Sequence, residues 1–447
     1  MDSIKNWLEE NNIEEVQCIT CDHTGIPRGK ILPVQTFIND GGFRIPEAIM
    51  LQAACGDYID DDLLFTLVDE RDIDMVLKPD ANACYILPWT QKPTAMIIHD
   101  CFDQKGELVE LSARNVLKKV IELYNKADLQ AVVAPEMELY LAKTNPDPNR
   151  ALEPPIGRSG HTESGRQSFG IDAMTEFSPF IDDLYTWAKQ LGLSLDAAIH
   201  EEGAAQFEFN FIHGDPLALA DQVFVFKRMV KEAASKHGIT ATFMAKPIHG
   251  EPGNAMHIHQ SVINATSGEN IFATADGDTD AFRHYIGGLQ KYIPQMMPMF
   301  APNINSYKRF IAGYASPVNL HWGLENRTVG LRVPNAPIQA RRVENRLPGA
   351  DTNPYLAIAA TLLCGYIGMS DKVEPSKPRL GKENDEKSTA MPTNIDDAIA
   401  TMASSEKVKH YLGDLFVQGY TETRKADHEN YKSVISAWER HFLLTAV

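Results

Sequence analysis

The sequence predicts an α+β protein with a small β-dominated N-terminal part, residues 1–106, and a larger part, residues 107–447, built on an antiparallel sheet. Three observations predict it. At 447 residues the chain exceeds what one ordinary core organises. Up to about Glu107 it holds short runs rich in β-formers and bounded by turn residues. Beyond Leu111, helical periodicity takes over and is interrupted by segments in which polar and apolar residues alternate.

In chain order, EVQCITCD, LLFTLVDE, ACYILPW and AMIIHDCF read as strands. SARNVLKKVIELYNK spaces Val116, Val120, Ile121 and Leu123 on one helical face, with Ser112 as the N-cap candidate. Further helices are expected in PFIDDLYTWAKQLG, PLALADQVFVFKRMVKEAASKHG, AFRHYIGGLQKYIPQM and NPYLAIAATLLCGYIGM. Between them AVVAPEMELYLA, AAQFEFNFI, NAMHIHQSVI, TVGLRVP and ARRVENRL read as strands. The stretch from Asp371 to Asn394, rich in Lys, Glu, Pro and Ser, reads as a surface excursion.

Composition narrows the function classes. A formal net charge of −18 at pH 7 argues against nucleic-acid and anionic-membrane partners. The start, MDSIKNWLEENN, has no signal-peptide core, and no run reaches membrane-span length, so a cytoplasmic location is expected. Six cysteines in so long a chain are too sparse for a disulfide framework. Cys18 and Cys21 form a lone C-x-x-C that reads as buried strand positions.

Side chains alternate faces along a strand, so each predicted strand can be asked what it presents together. Glu136, Glu138 and Tyr140 share a face. So do Gln206, Glu208 and Asn210; His257, His259 and Ser261; and Arg342, Glu344 and Arg346. One such row is ordinarily the solvated side of a half-buried sheet. Four rows dominated by Glu, His and Arg point to bound cations, because crowded carboxylates repel one another otherwise. Carboxylates with imidazole and no thiolate favour Mg²⁺ or Mn²⁺. Arg309, Arg327, Arg332, Arg341, Arg342 and Arg346 add guanidinium forks suited to phosphate and carboxylate oxygens. Together these describe phosphoryl transfer, although no P-loop and no dinucleotide fingerprint is present.

PEMELYL, HEEGAAQFEFNF, TFMAKPIHGEPGNAMHIHQS, NSYKRF, NRTVGLRVP and ARRVENRLPGADTNPYLAIAATL resemble, in order, the signature blocks of the glutamine synthetase family, class I type. That resemblance implies a β-grasp-like N-terminal domain and a catalytic domain whose antiparallel strands form a funnel-shaped site. It also implies a homododecamer of two stacked hexameric rings. By motif position, Glu138, Glu201 and Glu208 would hold one metal and Glu136, His257 and Glu344 the other, with Glu202 the alternative to Glu201. Arg309, with the Gly253 backbone, would receive the α-carboxylate of glutamate. Arg327, Arg332 and Arg342 would face the phosphates of ATP, Arg346 the transferring phosphoryl group, and His259 and Ser261 the nucleotide. The implied reaction activates the side-chain carboxylate of glutamate as an acyl phosphate and couples it to an amine.

The sequence departs from the ammonia-using pattern in two places. The Glu that closes over the ammonium site after NSYKR is replaced by Ala315, and QAACGDYIDDD stands where an F-D-G-S-S block is expected. No Tyr occurs between positions 380 and 400, where some bacterial members are adenylylated. Within the family the chain looks most like the γ-glutamylpolyamine synthetases, glutamate–putrescine ligase in particular, so a polyamine acceptor is expected. Asp57, Asp60, Asp61 and Asp62, and the aromatic face of Trp322, are the candidates to meet a distal ammonium. Ordinary glutamine synthetase, a ligase for another small amine, and a non-catalytic oligomeric descendant are the competing readings.

Overall fold

A computed structural model describes residues 1–163, 166–311, 316–382 and 391–446. Its first sheet has the order β2-β1-β5-β4-β3: β1 (Glu15–Cys21), β2 (Pro27–Pro33), β3 (Phe43–Pro46), β4 (Asp74–Ile86) and β5 (Thr94–Phe102). All pairings are antiparallel except β1 with β5. Alternation divides this sheet between two cores. Val16, Cys18, Ala95 and Ile97 pack with Ile4 and Leu8 of an N-terminal helix, Asp2–Glu10. Ile19, Cys21, Met96 and Ile98 face the other way into the main core. Cys18 and Cys21 are therefore buried free thiols, and burial pushes the Cys18 thiol up to about 12.

One predicted strand is a helix. LLFTLVDE falls within and just after the helix Asp61–Leu67. The deciding residue precedes the apolar run: the Asp60 carboxylate accepts the Asp62 and Leu63 N–H groups, and Asp61 and Asp62 lie in the first turn at the positive end of the helix dipole. The acidic run thus starts and caps a helix. Ser112 does occupy the N-cap position of Ala113–Lys126, but its hydroxyl accepts no capping N–H.

The second sheet has eight strands: β6 (Leu129–Lys143), β7 (Leu195–His200), β8 (Gln206–Phe211), β9 (Ile239–Thr242), β10 (Met256–Asn264) and, beyond a small hairpin of β11 (Ala273–Thr274) and β12 (Gly277–Asp278), the short strands β13 (Trp322–Leu324), β14 (Leu331–Val333) and β15 (Val343–Asn345). Its order is β13-β14-β15-β10-β6-β8-β7, with β9 also pairing β6. The apolar face carries Met137, Leu139, Phe207, Phe209, Met256 and Ile258. Against it pack the helices Pro216–Lys236 and Pro354–Ser370, the latter buried nearly all round. Trp322 belongs to this core, its indole N–H donating to the Ser376 carbonyl at 2.6 Å. Among the described residues no helix is long and apolar enough to cross a membrane.

Candidate active site

Register turns the four sequence rows into one surface. His257 pairs with Glu136, which pairs on its other side with Asn210; Glu138 pairs with Glu208, and Tyr140 with Gln206. On the opposite flank His259 pairs with Glu344, which pairs with Arg332. Since paired residues point to the same side of a sheet, these side chains converge.

They line two adjoining cavities. The first, about 250 Å³, is bounded by Glu136, Glu138, Glu201, Glu208, Gly253, His257, Arg309, Arg327, Arg332, Glu344 and Arg346. The second, about 570 Å³, holds His259, Ser261 and Arg342, together with Asp196 and His213. Glu136 and Asn210 border both. The residues named for metal, glutamate and ATP are thus brought together, split between two chambers, whereas Arg341, which pairs with Asp278, and the amine candidates Asp57, Asp60, Asp61, Asp62 and Trp322 line neither cavity. Ala315 lies outside the described residues.

Carboxylates in the first cavity fall into two electrostatic classes. Glu136 is hydrogen-bonded by the rings of both histidines, at 3.3 Å from His257 Nδ1 and 2.9 Å from His259 Nε2. Burial opposes its ionisation, yet those bonds hold it below the usual carboxylate range. Glu344 accepts from Arg332 at 2.8 Å and from Arg346, and despite burial stays down at about 2. Glu138 and Glu208 behave oppositely. Burial first, and the neighbouring Glu201 next, push Glu138 up to about 8; burial and four surrounding glutamates push Glu208 well above its ordinary value. Burial likewise raises Glu201.

A divalent cation fits this donor set. One carboxylate oxygen from each of Glu138, Glu201 and Glu208 lies within 4.8 Å of the others, and so do donor atoms of Glu136, Glu208 and His257. Two buried carboxylates driven toward the neutral acid, with no arginine or lysine in an ion pair with them among the described residues, make a donor set whose charge a divalent cation would balance. Burial and the nearby Arg346 lower His257 to about 4, so its imidazole is neutral at pH 7 and able to ligate. Glu136, His259 and Glu344 form a further such group, and Arg342 donates from Nε to His259 Nδ1 at 3.2 Å.

The arginines are held in place by the backbone. Arg309, buried, donates to the carbonyls of Leu347 at 2.7 Å and Arg346 at 2.8 Å. A Cβ on Gly253 would stand 2.7 Å from Arg309 Cγ and 2.5 Å from the Ala245 carbonyl oxygen, so only glycine admits that guanidinium's stem. Several lining residues escaped the sequence reading as site members. Gln206 donates to the Gly253 carbonyl and to Asn254 Oδ1, both at 3.0 Å, and the Ala255 N–H donates to Glu138 at 2.8 Å. Gln206 and Asn210 sat in the rows and were legible there. Phe169, Ile199 and Ser316, which also line the first cavity, occupy positions with no such pattern.

A mostly antiparallel sheet whose polar face gathers carboxylates, histidine and arginine around one cavity presents the donor set that divalent cations and phosphoryl or acyl transfer call for. The family follows from comparison. The glutamine synthetase catalytic domain matches residues 110–443, and the chain belongs to the glutamine synthetase family. It is 33% identical to glutamate–isopropylamine ligase from Pseudomonas sp, covering 98% of this chain and 96% of that one. It is 30% identical to a glutamine synthetase from Methanocaldococcus jannaschii (97% and 95% covered) and 29% identical to γ-glutamylputrescine synthetase PuuA from Escherichia coli K12 (99% and 94%). The structure of GmaS without ligand superposes with a TM-score of 0.85 at 27% identity, covering both chains completely. The protein is a glutamine synthetase-like ATP-dependent ligase with the mixed α and β fold of that structure.

Proposed function

We propose that the protein joins glutamate to an amine through γ-glutamyl phosphate, with putrescine or a longer polyamine the favoured acceptor. The observation that carries the ligase chemistry is the crowding of Glu138, Glu201 and Glu208 beside Glu136, His257 and Glu344, with Arg309 and Arg346 in the same cavity. Divalent metals held by the two glutamate groups, Mg²⁺ or Mn²⁺, would neutralise charge between the ATP phosphates and the attacking carboxylate. A γ-carboxylate oxygen attacks the γ-phosphorus and ADP leaves; the amine nitrogen then attacks the acyl carbon, phosphate leaves and the nitrogen loses a proton. Arg309 and the Gly253 backbone receive the α-carboxylate. Arg327, Arg332 and Arg342 face the nucleotide phosphates, Arg346 meets the moving phosphoryl group, and the second cavity, with His259 and Ser261, takes the rest of the nucleotide.

The acceptor is read from what the sequence lacks. Ala315 in place of the ammonium-binding Glu, and the absence of the F-D-G-S-S block, leave room and remove charge where a second substrate enters. Two relatives are named for isopropylamine and putrescine. A β-grasp-like domain over residues 1–106, a homododecamer and a cytoplasmic location complete the proposal. Exposed Ile435, Trp438, Phe442 and Leu444 near the C-terminus favour association, since apolar side chains clustered on a surface ordinarily meet a partner. Phosphate release measured with glutamate and ATP across ammonium, methylamine, isopropylamine, ethanolamine, putrescine and spermidine tests the acceptor. Putrescine or spermidine should give much the highest kcat/KM. Preference for ammonium over every diamine would overturn the acceptor and leave the ligase standing; no phosphate release with any amine would remove both.

A further inference from the structure

Glu163 lies outside the four rows and outside both cavities, yet it is tied to the turn that carries Glu201. Its Oε2 accepts the Ala205 N–H at 2.8 Å and lies 3.1 Å from His200 Nε2, while Oε1 is buried without a partner among the described residues. The His200 ring, buried, spans the gap: its Nδ1 donates at 2.8 Å to the carbonyl of Glu201 itself. One carboxylate oxygen therefore grips both ends of the segment His200–Ala205.

That segment is under constraint. Ala205 has φ +55, a left-handed conformation unfavourable for a residue with a side chain, and its N–H is the group Glu163 holds. Inside the turn, the Glu201 N–H donates to the Gln206 carbonyl and the Gly203 N–H to Gln206 Oε1. A Cβ on Gly203 would lie 1.9 Å from the Tyr140 hydroxyl, so the turn presses against β6. Glu163 supplies a second hold, on the Ala205 N–H and the His200 ring.

We infer that Glu163 is a positioning residue for the metal group Glu138–Glu201–Glu208, fixing the Glu201 carboxylate through His200 and the Ala205 N–H. The inference rests on the reading of Glu201 as a metal ligand. Ligands held by an outer layer of hydrogen bonds lose affinity when that layer is cut, commonly by about 10–100-fold. The variants are Glu163→Ala, which removes both contacts, and Glu163→Gln, whose amide oxygen can stand where Oε2 stands and keep both contacts but without the charge that strengthens them.

Isothermal titration of Mn²⁺ into metal-stripped enzyme, without substrates, reads the effect apart from turnover. Glu163→Ala should bind the tightest Mn²⁺ about 10–100-fold more weakly, Glu163→Gln should fall between it and wild type, and kcat at saturating Mn²⁺ should be largely retained in both. If the Ala variant does not fold, the Gln variant carries the test. Unchanged Mn²⁺ affinity in the folded variants, whatever happens to Tm, would overturn the inference and leave Glu163 a loop staple. Glu201→Gln in the same titration separates the two failures: if it too binds Mn²⁺ like wild type, the reading of the site falls and not only the latch.

Discussion

Arg114 and Arg346 are both buried arginines set among carboxylates, yet their surroundings end in opposite electrostatic states. Arg114 joins the first sheet to the helices behind the second. It donates to Asp221 at 2.9 and 2.7 Å, to Asp80 at 2.7 Å and to Asp100, while Lys118 adds a second cation to Asp100 and the Tyr355 hydroxyl donates to Asp221 at 2.6 Å. Each of these carboxylates has a cation in contact. Around Arg346 only Glu344 is so paired, Arg309 spends two donors on carbonyls, and Glu138, Glu201 and Glu208 form no ion pair among the described residues, although Arg309 and Arg346 lie close enough to favour ionisation of Glu138. Similar side chains thus make a finished joint in one place and a receptacle in the other. The unmet charge, rather than burial or residue type, separates function from structure here.

The largest effect should come from removing charge at the receptacle. Glu138→Gln takes away a proposed metal ligand and should cut phosphate release by on the order of 10²–10³-fold or more, as loss of a group stabilising transition-state charge does. The same change relieves repulsion with Glu201, so the metal-free variant should have a Tm equal to or above wild type. Phosphate release and metal-free thermal unfolding measured together check both halves. Near-normal turnover at ordinary metal concentration would remove Glu138 from the metal site.

Arg114→Ala should do the reverse. It leaves Asp221 and its neighbours buried without their cation, which costs about 3–5 kcal/mol for a buried pair broken on one side. Urea unfolding should show that loss, whereas Mn²⁺ affinity of the folded fraction should hold, because none of the Arg114 partners borders either cavity. A large drop in Mn²⁺ affinity at unchanged stability would erase the distinction between joint and receptacle.

What was legible in the sequence follows the same line. The rows on β6, β8, β10 and β15 could be read because strand periodicity is two and the apolar partners fix which face is inward. Helix Asp61–Leu67 was misread because a short apolar run suits either state, and the decision lies in one capping carboxylate at Asp60. The division into two cavities depends on which strands are neighbours, since His259 and His257 are adjacent on one face yet open into different chambers. Phe169 and Glu163 arrive from a loop with no periodicity, so only the fold reveals them.

The smallest effect, and the sharpest on the cause, is a pH slope. A carboxylate whose folded pKa is raised stabilises the fold fully below its unfolded value and loses that contribution as pH climbs through the folded value. For Glu138 the window runs from its ordinary 4.5 up to about 8. Buried histidines act in the opposite sense: burial lowers His23 to about 3, His99 to about 4 and His257 to about 4, so they add stability as pH rises toward their ordinary 6.5 and add nothing more above it. Between pH 6.5 and 8 the histidine contribution to the slope fades out and the raised glutamates dominate, opposed near the top of the interval by buried Lys227, which burial lowers to about 8 and which therefore adds stability as pH rises past that value. Metal-free enzyme should lose Tm steadily across that interval. Saturating Mg²⁺ should flatten the slope, because a bound divalent cation favours the carboxylate over the acid and its uptake by metal-free enzyme near pH 7 displaces protons. Glu138→Gln should flatten much of the slope without metal, leaving the part due to Glu208. Arg114→Ala should lower Tm at every pH and leave the slope as it was. A metal-free wild type whose Tm is level from pH 6.5 to 8 would mean that the glutamates are neutralised from within the chain, and the receptacle would then be a second joint.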